Sequence, residues 1–352
     1  MRVIFDIGHP AHFHLFKHVI TTLKDLGEDV EIIARQKDCL LNLIEKTGWP
    51  YHLVKRGKHG IVALGWQNLK AFQLAISLAR KKQTDFMIGT SIVVGPAARL
   101  TGATSLIFSE DDAKAVPLFA KMAYPVAHYI ITPNSLKFEN HGKKHLTYPG
   151  YHELAYLHPD RYTPNQDILK ELGVKAGEKY FLIRLVSLTA HHDIGESGIS
   201  TKQAQIIVER LAKHGRVFIS AETTINPDLQ KYLLPVPVEK IFDVLAFAHM
   251  IIGDSQTMSL EAAVLGTPSL RCNSFVGRLS CPQELEHKYG LTAAFLPKDF
   301  DKLLLKMDEW LSEPDLKEKW EKKREVMLSD CIDLTTWILD LLNNLSTEGK
   351  RS

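Results

Sequence analysis

Short apolar runs alternate with stretches of helical periodicity from the first residues onward, the signature of an α/β protein. Val3 to Asp6 reads as a buried strand, Phe13 to Leu26 as an amphipathic helix, and Val30 to Ala34 as the next strand after a stop at Leu26-Gly27. The pattern repeats, with Asp38 to Lys46 helical up to Gly48, Tyr51 to Val54 extended and Asn68 to Lys82 helical. Phe86 to Gly89 is a strand running into a loop and the helix Val94 to Leu100, and Thr104 to Phe108 and Tyr129 to Thr132 complete a parallel sheet. Around Tyr148 to Thr163 periodicity lapses among Pro149, Gly150 and Pro159, which predicts a linker.

A second α/β set follows. Tyr180 to Leu185 and Val217 to Ser220 read as strands flanking a helix from Thr201 to Lys213. Met250 to Gly253 is a third strand, leading into a helix from about Ser259 to Leu265 that Gly266 and Pro268 stop before another short strand. From Asp301 onward Leu303, Leu304, Met307, Trp310, Trp320, Trp337, Leu341 and Leu342 recur at helical spacing, as packing positions do. The fold class predicted is α/β, two Rossmann-like domains with parallel sheets facing an interdomain cleft, over residues 1–158 and 165–330.

Composition narrows the class. At 352 residues, 45% apolar and 24% charged, the chain suits two folded domains. A balance of 43 basic and 41 acidic residues gives no reason to expect nucleic acid, and Lys143-Lys144 and Lys317 to Arg324 read as solvated faces. Cys39, Cys272, Cys281 and Cys331 form no CxxC pair, which fits reduced thiols in cytoplasm better than zinc or disulfides. No apolar run reaches the roughly 18 residues of a membrane span, and the start is no signal peptide. Cytoplasmic placement is expected, and Leu64 to Leu78, with Trp66 and Phe72 and then Lys81-Lys82, fits a helix packed on a sheet or a peripheral contact at the inner membrane face.

Candidate chemistry lies where strands end. Gly253-Asp254-Ser255-Gln256-Thr257 runs from a buried strand into a helix, so its amides either hold a phosphate or are capped by Ser255, Thr257 or Ser259. Glu261, in the first turns of that helix, could accept from a ribose diol or complement the helix end. The first strand-to-helix turn holds Gly8, for close backbone approach, and His9, His12 and His14, able to donate to a phosphate or act as a base; their spacing is not that of a metal site. Gly89-Thr90-Ser91 forms a second polar rim. Glu110, Asp111 and Asp112 follow a strand, with Glu110 or Asp112 as general base or a solvated loop as the alternative. In the second half, Arg184 could hold phosphate, and Ser187, His191, His192 and Asp193 crowd the loop after its first strand.

These residues carry a resemblance. The Gly/His first turn and Gly253 to Ala263 followed by Leu265-Gly266-Thr267-Pro268 resemble the GT-B superfamily of nucleotide-sugar enzymes. Within it the chain is most similar to a prokaryotic family of uncharacterised function related to the UDP-N-acetylglucosamine 2-epimerases and nucleotide-sugar glycosyltransferases. Its markers are Ala190 to Gly195 and Gly150 to Leu157. The resemblance implies a C-terminal nucleotide-sugar-binding domain, with Ser255, Gln256 and Thr257 near phosphate and Glu261 near ribose. It implies an N-terminal acceptor and catalytic domain, and a final helix in 331–352 that packs back on it, with a flexible tail.

It further implies metal-independent chemistry without a cofactor, the substrate being a nucleotide-diphosphate sugar, UDP-linked, and the partner a sugar or lipid-linked acceptor. An epimerase has an acid where this chain has Gly89-Thr90-Ser91, and Ser-Gly-Gly where it has Ser255-Gln256-Thr257; Glu110 is retained. The reading preferred is a GT-B glycosyltransferase in surface polysaccharide or glycoconjugate synthesis, with His9 or Glu110 as base. His191, His192 and Asp193 are further catalytic candidates; Gly8, His12, Arg184, Ser187 and Asp254 join Ser255 to Thr257 and Glu261 as ligand-binding candidates. The alternatives are a sugar-nucleotide 2-epimerase and a non-catalytic nucleotide-sugar binder.

Overall fold

Strand-forming segments that are apolar at nearly every position must be covered on both faces, and the structure buries them in two parallel sheets. The computed structural model describes residues 1–37, 39–55, 61–186, 197–222 and 225–348, without the side chains at 61, 62 and 348. The chain divides into two units, Met1–His158 with Cys331–Ser352, and Pro159–Asp330.

In the first unit the strands are β1 (Arg2–Ile7), β2 (Asp29–Arg35), β3 (His52–Val54), β4 (Phe86–Gly89), β5 (Thr104–Phe108), β6 (Tyr129–Pro133) and β7 (His145–Tyr148). They pair in the order β3-β2-β1-β4-β5-β6-β7, every neighbour parallel. The connecting helices are α1 (Pro10–Asp25), α2 (Leu40–Thr47), α3 (Ile61–Lys82), α4 (Val94–Thr101) and α5 (Pro117–Ala123). Helix α1 starts with Pro10 in its first turn and buries Phe13, Phe16, Ile20 and Leu23, spaced three and four apart, on one face. Helix α3 packs through Ala71, Ala75 and Ala79, while Trp66 is 61% exposed beside exposed Leu64 and Leu69. No helix among the described residues is long and apolar enough to cross a membrane.

The second unit carries β8 (Tyr180–Leu185), β9 (Arg216–Ala221), β10 (Met250–Gly253), β11 (Ser269–Cys272) and β12 (Thr292–Phe295), in the parallel order β12-β11-β10-β8-β9. Its helices are α6 (Asp167–Glu171), α7 (Thr201–Leu211), α8 (Ile241–Phe247), α9 (Gln256–Val264), α10 (Ser280–His287), α11 (Phe300–Leu311) and α12 (Leu316–Ser329). The chain then returns to the first unit as α13 (Leu334–Glu348), which buries Leu334, Ile338 and Leu342. Thr335 donates its hydroxyl to the Ala155 carbonyl at 2.8 Å, and Trp337 lies against Tyr148. The tail expected beyond that helix lies outside the described residues from 349 on.

The structure differs from the sequence expectation in two informative places. Tyr148, Tyr151, Leu154, Ala155, Tyr156 and Leu157, expected in a linker, are fully buried in the first unit. Pro149 and Gly150 interrupt periodicity there without exposing the chain; the unit ends at His158. Helix α9 starts at Gln256 and not near Ser259, because the Ser255 hydroxyl caps it by accepting from the Met258 amide at 3.3 Å.

Each sheet reverses its strand order once, between β1 and β4 and between β8 and β10, and open α/β sheets bind ligands at the carboxyl ends of such strands. A glycine closes one strand at each reversal. Gly89 lies opposite Asp6 and Gly253 opposite Arg184. A Cβ on Gly89 would stand 2.8 Å from the Asp6 carbonyl oxygen, and one on Gly253 2.7 Å from that of Arg184. Both atoms are strand backbone and cannot yield without parting the sheet. Gly89→Ala and Gly253→Ala are therefore each expected to cost about 1–3 kcal/mol in urea unfolding, and a midpoint equal to the parent's would show that the strands separate freely.

Candidate functional site

The first unit's rim is built around a buried acid. Asp6, at the end of β1, is 2% exposed. Its Oδ2 accepts from Arg35 Nη2 at 2.8 Å and from the Ser91 hydroxyl, while Arg35 Nη1 donates to Asn68 Oδ1 at 2.8 Å. The turn after β1 sits on this base. His9 caps α1, its Nδ1 accepting from the Ala11 amide at 3.2 Å. His12 Nδ1 accepts from the Gly8 amide at 3.3 Å, which leaves the proton of the neutral ring on Nε2, and the Thr90 hydroxyl lies 2.5 Å from Nε2 and 2.7 Å from Nδ1. Burial, and then the neighbouring His9, His152, Arg35 and Lys37, hold His12 well below the usual histidine range. His14 leaves this group and packs on Tyr156, with burial lowering its pKa to about 3. A Cβ on Gly8 would make only ordinary contact, 3.4 Å from Arg35 Cδ, so the fold itself does not require glycine there.

Glu110 follows β5, and its Oε2 lies 3.3 Å from His152 Nδ1. Burial pushes the Glu110 carboxyl up to about 7 and the His152 imidazole down to about 3, so both favour their neutral forms. His152 stacks parallel to Tyr148 at 6.3 Å and is tilted over Phe108. A carboxyl held near neutrality can take or give a proton at physiological pH.

In the second unit, Asp254 ties the rim together. Its Oδ1 accepts from the Val186 amide at 2.8 Å and its Oδ2 from the Ile199 amide at 3.2 Å, and its own carbonyl accepts from Asn273 Nδ2 at 2.9 Å. Burial raises its carboxyl to about 6, against the pull of those amides. Both carboxylate oxygens are thus engaged by backbone on either side of the 187–196 segment. Ser255 being the cap, the amides of Gln256 and Thr257 and the Thr257 hydroxyl donate to no described group and remain half-buried at the first turn of α9. Partial positive charge at the helix end adds to these donors, an arrangement that receives phosphate.

Arg184 directs its guanidinium to β9, donating to Ser220 Oγ at 2.7 Å and pairing with Glu222. Glu261 is 6% exposed within α9, and Ser259 bonds Ser269 on β11 at 2.9 Å. Ser187, His191, His192 and Asp193 lie outside the described residues. Among the described residues no three His, Cys, Asp or Glu side chains come together to hold a metal.

Sequence reasoning grouped Gly8, His9 and His12 correctly on one turn but missed Asp6, Arg35 and His152 beside them. His152 stood in the Gly150 to Leu157 marker without a role. Arg271 was missed as well. It is a charge inside the otherwise uncharged buried strand β11, 3% exposed, donating from Nη1 to Gln256 Oε1. Burial lowers its pKa to about 10.

The Glu110 carboxyl yields a test with a definite sign. Because its folded pKa lies above the ordinary 4.5, its contribution favours the fold fully below pH 4.5 and is lost as pH rises toward 7, while the lowered His152 acts in the opposite sense between pH 3 and 6.5. A carbon-13 carboxyl titration should show a resonance with a midpoint near pH 7 that disappears in Glu110→Gln. A Glu110 midpoint at the ordinary value would contradict the burial assigned to it.

Comparison with known proteins bears on the fold. Three solved structures share it along almost the whole chain. The UDP-GlcNAc 2-epimerase of Methanocaldococcus jannaschii matches with a TM-score of 0.64 at 14% identity, covering 98% of this chain and 100% of that one. An S. aureus MnaA solved with UDP matches at 0.68 and 12%, covering 98% of both chains. The spinosyn rhamnosyltransferase SpnG, solved with spinosyn aglycone, matches at 0.66 and 12%, covering 97% and 100%. No curated protein matches the sequence. The chain has the two Rossmann-like α/β domains of the GT-B fold, seen in epimerases and glycosyltransferases alike. At the level of sequence, residues 1–282 match one family model, and the chain belongs to that family, the proteins of unknown function designated DUF354.

Proposed function

We propose that this protein binds a nucleoside-diphosphate sugar, UDP-linked, and transfers its sugar to an acceptor hydroxyl. The observation that carries the reading is the first turn of α9, where two backbone amides and the Thr257 hydroxyl stand without partners among the described residues at the strand-order reversal of the second sheet. A phosphate of a nucleotide is the ligand chemistry that such a turn fits, and Glu261 is the candidate for the ribose. Structural neighbours solved with UDP in one case and with an aglycone in another support a nucleotide and an acceptor as the two substrates.

Transfer breaks the bond from the anomeric carbon to the diphosphate oxygen and forms one to the acceptor oxygen, and the acceptor's proton must go to a base. Glu110, neutral only up to about pH 7, can accept it above that pH, with His152 at 3.3 Å to orient the carboxyl. His9 is the other candidate base. The leaving diphosphate would be stabilised by the helix end and by basic side chains in place of a metal.

Transfer is favoured over 2-epimerisation by what ends β4. Epimerisation by elimination and re-addition needs several acid–base groups, whereas Thr90 and Ser91 are neutral and engaged with His12 and Asp6. The acceptor class expected is a sugar or lipid-linked sugar of surface polysaccharide or glycoconjugate synthesis.

A thermal-shift panel of UDP-, dTDP- and GDP-sugars tests the binding step, and at least one donor should raise the melting temperature by several degrees. Incubation of that donor alone should leave it intact, and an added acceptor should release the free nucleotide. A new sugar epimer formed without acceptor would replace transfer by epimerisation, and a panel without any shift would remove the nucleotide reading.

A further inference from the structure

Parallel strands covered on both faces are built from apolar residues, and an arginine at the centre of one breaks the rule at a cost. Arg271 does so on β11, paired in register with Gly253 on β10 and Ala294 on β12. At 3% exposure its guanidinium is nearly removed from water. No carboxylate among the described residues reaches ion-pair distance, and its one hydrogen bond is to a neutral amide oxygen, that of Gln256, the first residue of α9. The Glu286 carboxylate, which accepts from the Ala294 amide at 3.2 Å, offsets that charge only from beyond ion-pair distance. A buried cation hydrogen-bonded among the described residues to a neutral acceptor alone is an expensive arrangement, and an anion beside it lowers the expense.

We infer that Arg271 is a phosphate-binding residue of the α9 site, its buried guanidinium supplying the full positive charge that makes the site select two linked phosphates over one. The inference rests on the nucleotide reading above for the uridine, but not for the pyrophosphate. The argument is one of charge. The helix end carries about half an elementary charge and its free amides suit a single phosphate, whereas two linked phosphates carry at least two negative charges. Arg271 adds a whole charge and a planar fork of donors, of which Gln256 occupies only Nη1. Gln256 Oε1 thus holds the guanidinium at the first turn of the helix until an anion arrives. A charge-assisted contact then stabilises what a neutral bond stabilises less.

Calorimetric titration with UDP, UMP and inorganic pyrophosphate, on the parent and on Arg271→Met, separates the two claims. The methionine variant should lose roughly 10- to 100-fold in affinity for UDP and pyrophosphate and less than about threefold for UMP. Without ligand it should melt no lower than the parent, since a buried charge with no ion-pair partner among the described residues has been removed. Equal loss for UDP and UMP, or unchanged UDP affinity, overturns the role of Arg271 while the nucleotide reading stands. Parent protein that binds pyrophosphate in an Arg271-dependent way but no UDP supports the inference and overturns the uridine reading, and parent protein that binds none of the three overturns both. Should the variant fail to fold, a crystal of the parent with pyrophosphate decides: guanidinium nitrogens within about 3.2 Å of a phosphate oxygen support the role, and a guanidinium still on Gln256 with the anion out of reach overturns it.

Discussion

Two backbone amides at the start of α9 have no partner among the described residues, because the side chains around them are otherwise engaged. Ser255 turns its hydroxyl back onto Met258, Asp254 binds the amides of Val186 and Ile199, and Gly253 lets β10 lie against β8 closely enough for that carboxylate to reach across. The turn that results still has donors without partners among the described residues. An unsatisfied amide at a half-buried helix end costs free energy in the free protein, and a phosphate that satisfies it recovers that cost on binding.

The first unit solves a different electrostatic problem. Its rim gathers His9, His12, His152, Arg35 and Glu110 around Asp6, and burial keeps His12 and His152 neutral and shifts Glu110 toward neutrality. Arg35 pairs with Asp6 at 2.8 Å, and the two are fixed further by Asn68 and Ser91. The pair stiffens the ends of β1, β2 and β4.

Much of the fold was legible because buried parallel strands announce themselves as short apolar runs. Val3 to Asp6, Phe86 to Gly89 and Met250 to Gly253 were readable for this reason, and β7, with His145 and Thr147 in four residues, was not. The turn before α9 was legible as small and hydroxyl residues after a strand, but capping and binding use the same residue types. Only geometry separates them, giving Ser255 to the cap and leaving the amides of Gln256 and Thr257 without partners among the described residues. His152 and Arg271 were illegible for a further reason. Their partners, Glu110 and Gln256, are distant in sequence or on another element, so no local pattern joins them.

The central claim concerns the amides that open α9, and an amide-resolved nuclear magnetic resonance titration of perdeuterated protein with UDP-N-acetylglucosamine reads them directly. Saturable shifts of the Gln256 and Thr257 amides, among the largest in the spectrum, are the predicted result. Saturation that leaves those two resonances in place would put the nucleotide elsewhere and contradict the account.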